Sequence, residues 1–122
     1  MNGLALAYIG DAYYELCVRR HLIKRLAHVN ALHQEAVRFT SGVAQASIMA
    51  YLLDTHMLSE TEEALYKKGR NFSGPGRKNI DARTYHMATG FEALIGGLYL
   101  DNPTRADALV QAAITYIEEG GS

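Results

Sequence analysis

The chain has 122 residues, 48% of them hydrophobic, which suits one compact domain with a single core over residues 1–119 and excludes a second core of similar size. Its formal net charge of −1 excludes a uniformly basic nucleic-acid coat, so any attraction for phosphate must come from how the charges are arranged. The lone Cys17 excludes an internal disulfide or a cysteine-built zinc site, and Asp11, Glu15 and Arg19-Arg20 interrupt the N-terminal apolar run well short of the roughly 20 residues of a membrane span, so a cytoplasmic protein with no membrane contact is expected.

From Leu4 to about Arg25 the apolar positions recur at three- and four-residue spacing, and Arg19, Arg20, Lys24 and Arg25 gather where a helix dipole favours cations; a long first helix is predicted. Asn30 suits the cap of a short second helix carrying Ala31, Leu32 and Val37, and Thr40 or Ser41 suits the opening of a third running to about Thr55. Ser59 followed by Glu62 is a capping-box pattern for a fourth helix through Ala64, Leu65 and Tyr66. Lys67 to Asn79 breaks the period with glycine, proline and charge, and predicts a long loop. A fifth helix is expected from Asp81 or Ala82 to Leu100. Pro103 starts a sixth that ends at Gly120, with residues 120–122 as a flexible tail. No alternating strand pattern or internal repeat occurs, so the fold class is all-α, with five to seven helices.

Two acids lie in otherwise apolar helical stretches: Asp11 within Leu4 to Tyr14, and Glu92 within Ala88 to Leu100. An ionised carboxylate taken out of water costs several kcal/mol unless a cation or hydrogen-bond donors meet it, so something positive is expected beside each. Gly96-Gly97 is costly inside a helix, at roughly 1 kcal/mol per glycine, unless a close approach requires it. Ala5, Ala7, Gly10 and Ala12 make the first helix equally slim, and if those faces meet, so do Asp11 and Glu92. Converging carboxylates repel, and a divalent cation is the simplest way to keep both ionised. Mg²⁺ fits best, because it takes oxygen ligands and keeps several waters. The competing reading pairs Asp11 with an arginine from another helix. Glu15, one turn after Asp11, reads as a rim residue.

His21, His28, His33, His56 and His86 are scattered, with neither Glu-x-x-His nor two histidines four apart, so helical zinc and di-iron sites have no ligand set. No phosphate-binding glycine loop or dinucleotide fingerprint occurs, which leaves no nucleotide cofactor to expect. Between Lys67 and Arg83 six cations face only Asp81, a net charge of +5 against −6 for the remainder. Such a stretch can track phosphates with side chains and backbone N–H groups; the alternative is a solvated surface loop. Phe72 is the one aromatic between Tyr66 and Tyr85, so stacking on unpaired bases has little support.

Gly10-Asp11-Ala12 after Tyr8-Ile9, together with the run from Phe91 to Asp101, resembles the paired signatures of the ribonuclease III catalytic domain, over Leu4 to about Leu100. The basic loop and small size are most similar to the compact bacterial Mini-ribonuclease III branch, which is linked to trimming precursor 23S ribosomal RNA. The resemblance implies an all-helical homodimer that holds duplex RNA in a shared groove and cuts it with Mg²⁺, or Mn²⁺ in its place, leaving 5′-phosphate and 3′-hydroxyl ends. Asp11 and Glu92 match the family's catalytic, metal-binding acids. Lys67, Lys68, Arg70, Asn71, Ser73, Arg77, Lys78 and Asn79 are the expected RNA contacts. Thr89, Ala7 and Leu4 stand where larger members carry further acids. The alternative within the same fold is a non-catalytic RNA-binding or ribosome-associated module, against which the retention of both Asp11 and Glu92 argues.

Overall fold

Six helices, and no strand, form among residues 1–25, 28–71 and 81–121, the residues that the computed structural model describes. They are α1 (Gly3–Ile23), α2 (Val29–Thr40), α3 (Gly42–Asp54), α4 (Glu60–Asn71), α5 (Ala82–Asp101) and α6 (Pro103–Glu118). None of them is long and apolar enough to cross a membrane.

Polar caps account for most of the boundaries, because the first N–H groups of a helix have no partner within it. Asn2 Oδ1 accepts from the Ala5 N–H at 2.8 Å, Ser41 Oγ from Ala44 at 3.1 Å, Asp81 Oδ1 from Thr84 at 2.9 Å, and Asn102 Oδ1 from Arg105 at 3.3 Å. The capping box of α4 forms in both directions: the Glu62 N–H donates to Ser59 Oγ at 3.2 Å, and the Ser59 N–H donates to Glu62 Oε1 at 2.9 Å. At the end of α6, Gly120 adopts φ +93°, its N–H donates to Ile117 O and the Gly121 N–H to Tyr116 O, the paired bonds of a Schellman close. Gly120 and Gly121 therefore finish α6 rather than begin a tail; Ser122 lies outside the described residues.

Two expectations need correction. Asn30 is not the cap of α2, which opens two residues earlier, at Val29, with His28 at the cap position and no side-chain cap bond. Lys67 to Asn71 do not belong to the expected loop, since α4 continues through Asn71; the rest of that stretch, up to residue 80, lies outside the described residues. Gly69 permits the continuation of α4: an added Cβ there would sit 2.5 Å from the Ala93 Cβ, so the last turn of α4 lies flush on α5. Lys68 and Arg70 in that turn also complement the negative end of the dipole.

Helix α5 packs against α1, α3, α4 and α6. Its Phe91, Leu94 and Ile95 are fully buried with Val18 of α1, Phe39 of α2, Ile48, Met49 and Leu52 of α3, and Val110 and Ile114 of α6. Tyr14 ties α1 to α2 across this core, donating to Phe39 O at 2.9 Å with its ring edge-on to Phe91 at 5.1 Å. Burial pushes its hydroxyl pKa upward, so it stays a neutral donor. Helices α1 and α5 meet backbone to backbone, where an added Cβ on Gly10 would lie 1.7 Å from Glu92 O and one on Gly96 would lie 1.9 Å from Leu6 O. Any side chain there would force the helices apart.

Candidate active site

That contact sets Asp11 beside Glu92 by construction: Gly10 touches the Glu92 backbone, and the next residue on α1 is the acid. Both acids line one open cavity of about 460 Å³, whose remaining walls are the α2–α3 junction at Thr40 to Val43, Gln45 on α3, and Tyr85, Ala88 and Thr89 on α5. The apolar neighbours of both acids in the chain predict their removal from water. Glu92 is half-buried, but Asp11 is exposed, because the apolar residues of α1 are spread around the helix instead of enclosing that face; Tyr8, one turn earlier, is 81% exposed. Asp11 has no arginine partner among the described residues, which removes the ion-pair reading for it there. Glu15 is not among the residues lining this cavity; partly exposed, it pairs with Arg19 at 3.3 Å along the same helix.

Among the described residues no third histidine, cysteine, aspartate or glutamate joins Asp11 and Glu92 in a metal-holding cluster. Ala7 is buried in a small cluster with Leu6 and Ala93, Leu4 is half-exposed, and Thr89 lines the cavity with its hydroxyl donating to Tyr85 O at 3.0 Å. The set is thus two carboxylates and neutral oxygens. Gln45 belongs to it and was not picked out from the sequence. Only 3% exposed, it donates from Nε2 to Thr40 O at 3.1 Å, and its Oε1 meets no donor among the described residues. A long amide at the buried register of Val43-Ala44-Gln45-Ala46-Ser47-Ile48-Met49 was the available signal. Hard oxygen donors with few protein charges suit Mg²⁺ or Mn²⁺, which keep most of their waters, far better than zinc.

The expected phosphate-binding residues divide. Lys67, Arg70 and Asn71 on the last turns of α4 line a second cavity, of about 730 Å³, together with Arg83 and His86 of α5 and Glu63. The Arg70 guanidinium lies 5.4 Å from the Tyr66 ring centroid and donates to Asn71 Oδ1 at 3.2 Å, which orders it. Lys68 points elsewhere, with Nζ donating to Met1 O at 3.0 Å. Ser73, Arg77, Lys78 and Asn79 lie outside the described residues.

Comparison with known proteins converges on one family. Residues 4–103 match the family model described as the ribonuclease III domain. The chain is 54% identical over 122 residues to Mini-ribonuclease 3 of Acholeplasma laidlawii, covering 99% of this chain and 98% of that one. It is 46% identical to Mini-ribonuclease 3 of Streptococcus pneumoniae, covering 97% and 94% respectively. Among solved structures, protein FN1578 from Fusobacterium nucleatum superposes with a TM-score of 0.83 at 24% identity, over 94% of this chain and 93% of that one, a likeness of fold.

Proposed function

The chain belongs to the ribonuclease III family, and from that membership we propose that it is a Mg²⁺-dependent endoribonuclease cutting double-stranded RNA to 5′-phosphate and 3′-hydroxyl ends. The observation that carries the proposal is that Asp11 and Glu92, brought from separate helices by the Gly10 and Gly96 contact, line one solvent-open cavity. In this reading the two carboxylates hold the cation and keep its charge at the scissile phosphate. Held by Asp11 and Glu92, Mg²⁺, or Mn²⁺ in its place, would supply an activated water and positive charge to offset that developing on the phosphate and the departing 3′ oxygen. Thr89 and Tyr85 shape the wall, while Lys67 and Arg70, with Arg77 and Lys78, grip phosphates along the duplex. Recognition rests on A-form shape, phosphates and 2′-hydroxyls, since duplex RNA hides its base edges in a narrow major groove.

Maturation of 23S ribosomal RNA precursor in the cytoplasm is the physiological role we assign, from the resemblance to the Mini-ribonuclease III branch that the sequence carries. A homodimer is supported by an apolar stripe on α1, where Leu4, Tyr8, Ala12 and Leu16 recur every four residues and are all exposed.

Incubating an end-labelled RNA duplex with the protein tests the activity. Cleavage is expected with Mg²⁺, none with EDTA, and none detectable for Asp11→Asn, which should still bind duplex. A variant cutting at near wild-type rate would remove Asp11 from the chemistry. Binding without cutting by the wild type would favour the non-catalytic module.

A further inference from the structure

We infer that Gln45 is a positioning residue of the cation site, its Oε1 accepting a hydrogen bond from a water in the hydration shell of the divalent ion held by Asp11 and Glu92. The inference rests on the proposed cation site and extends it to a neutral residue on a third helix.

The amide's orientation is set locally. Thr40 O can only accept, so the end of Gln45 that faces it at 3.1 Å must be the NH₂ group, and the carbonyl end is left over. That oxygen is buried, meets no donor among the described residues, and belongs to a side chain lining the cavity of the two acids. Buried polar groups in folded proteins are almost always satisfied, and an acceptor left without a donor costs about 1–3 kcal/mol. A core position that needed only bulk would hold leucine or methionine at less cost. Almost none of this oxygen's surface is accessible, which excludes a donor as large as a ribose and leaves a single water as the smallest candidate. A cation with only two protein carboxylates keeps several waters, each polarised and in need of acceptors, and groups contacting that shell orient it. Helix α3 holds Gln45 in place from its own N-terminus, where Ser41 Oγ caps Ala44, the residue before it.

Titrating the protein with Mn²⁺ in the absence of RNA, with free Mn²⁺ followed by electron paramagnetic resonance and folding by circular dichroism, tests this directly. Gln45→Met keeps the length and removes the acceptor; its Mn²⁺ affinity should fall about tenfold or more with helicity intact. Gln45→Glu restores an acceptor oxygen and should bind Mn²⁺ at least as tightly as the wild type. Wild-type affinity in Gln45→Met, with Asp11→Asn losing the ion, would overturn the role of Gln45 alone and mark its partner as a structural water. If Gln45→Met fails to fold, weakened binding in a folded Gln45→Glu overturns it instead. Failure of the wild type to bind Mn²⁺ would overturn both this inference and the cation site beneath it.

Discussion

At Gly96 the space for a side chain is occupied by the Leu6 carbonyl oxygen, 1.9 Å from where a Cβ would stand. The obstacle is backbone, which cannot swing aside as a flexible side chain can. Gly96→Ala should therefore destabilise the protein by about 3 kcal/mol, at the upper end of overpacking costs, and part Asp11 from Glu92. The check is a thermal melt alongside a cleavage assay, and a variant with unchanged melting temperature would mean that α1 and α5 are not in backbone contact. Cys17 behaves differently: it is buried near Tyr13, and burial raises its thiol pKa above the ordinary value. Alkylation at pH 7 should be much slower than for a free thiol and should accelerate on unfolding, as followed by mass spectrometry.

Between elements, the join of α4 to α6 runs through one carboxylate. Glu62 is 7% exposed, closes its own capping box, and receives Arg105 through both Nε at 2.8 Å and Nη2 at 3.1 Å, while the same Nη2 donates to Met57 O at 2.6 Å. The Arg105 guanidinium, foremost, holds the Glu62 carboxyl below its ordinary pKa of 4.5. A depressed folded-state value means that the stabilisation is complete above pH 4.5 and is lost as pH falls through the lower folded-state value. Glu62→Gln should cost about 2 kcal/mol at pH 7, because Arg105 is one-third exposed and the pair is partly screened. Below pH 4.5 the wild-type melting temperature should drop more steeply than that of Glu62→Gln; parallel curves would show that the bridge does not titrate with folding.

Across the whole molecule, two surfaces carry expectations. The exposed stripe of Leu4, Tyr8 and Leu16 is apolar area that a second copy would remove from water. Tyr8→Asp should shift the protein from dimer to monomer in sedimentation without loss of helicity, and a wild type that sediments as a monomer would end the dimer proposal. At the other surface, Lys67 and Arg70 share a cavity with Arg83. Replacing Lys67 and Arg70 by alanine should weaken duplex binding and lower its salt dependence by about one unit of slope per lost phosphate contact. An unaltered slope would take this cavity out of the RNA interface.

The helix order, most boundaries and the two acids were legible in the chain because their causes are local: three- and four-residue spacing, Ser59 with Glu62, Asp81, Asn102 before Pro103, and acids out of place among apolar neighbours. The small residues of α1 and the Gly96-Gly97 pair allow a close approach of the two helices, and the structure supplies it at Gly10 and Gly96. Tertiary structure decided what no local pattern carries. Asp11 faces solvent, the basic run begins on a helix, and Gln45 completes the wall of the acidic cavity, each because of what packs beside it. Spacing along a chain tells which residues share a face; only the arrangement of the other helices settles whether that face meets water, protein or a ligand.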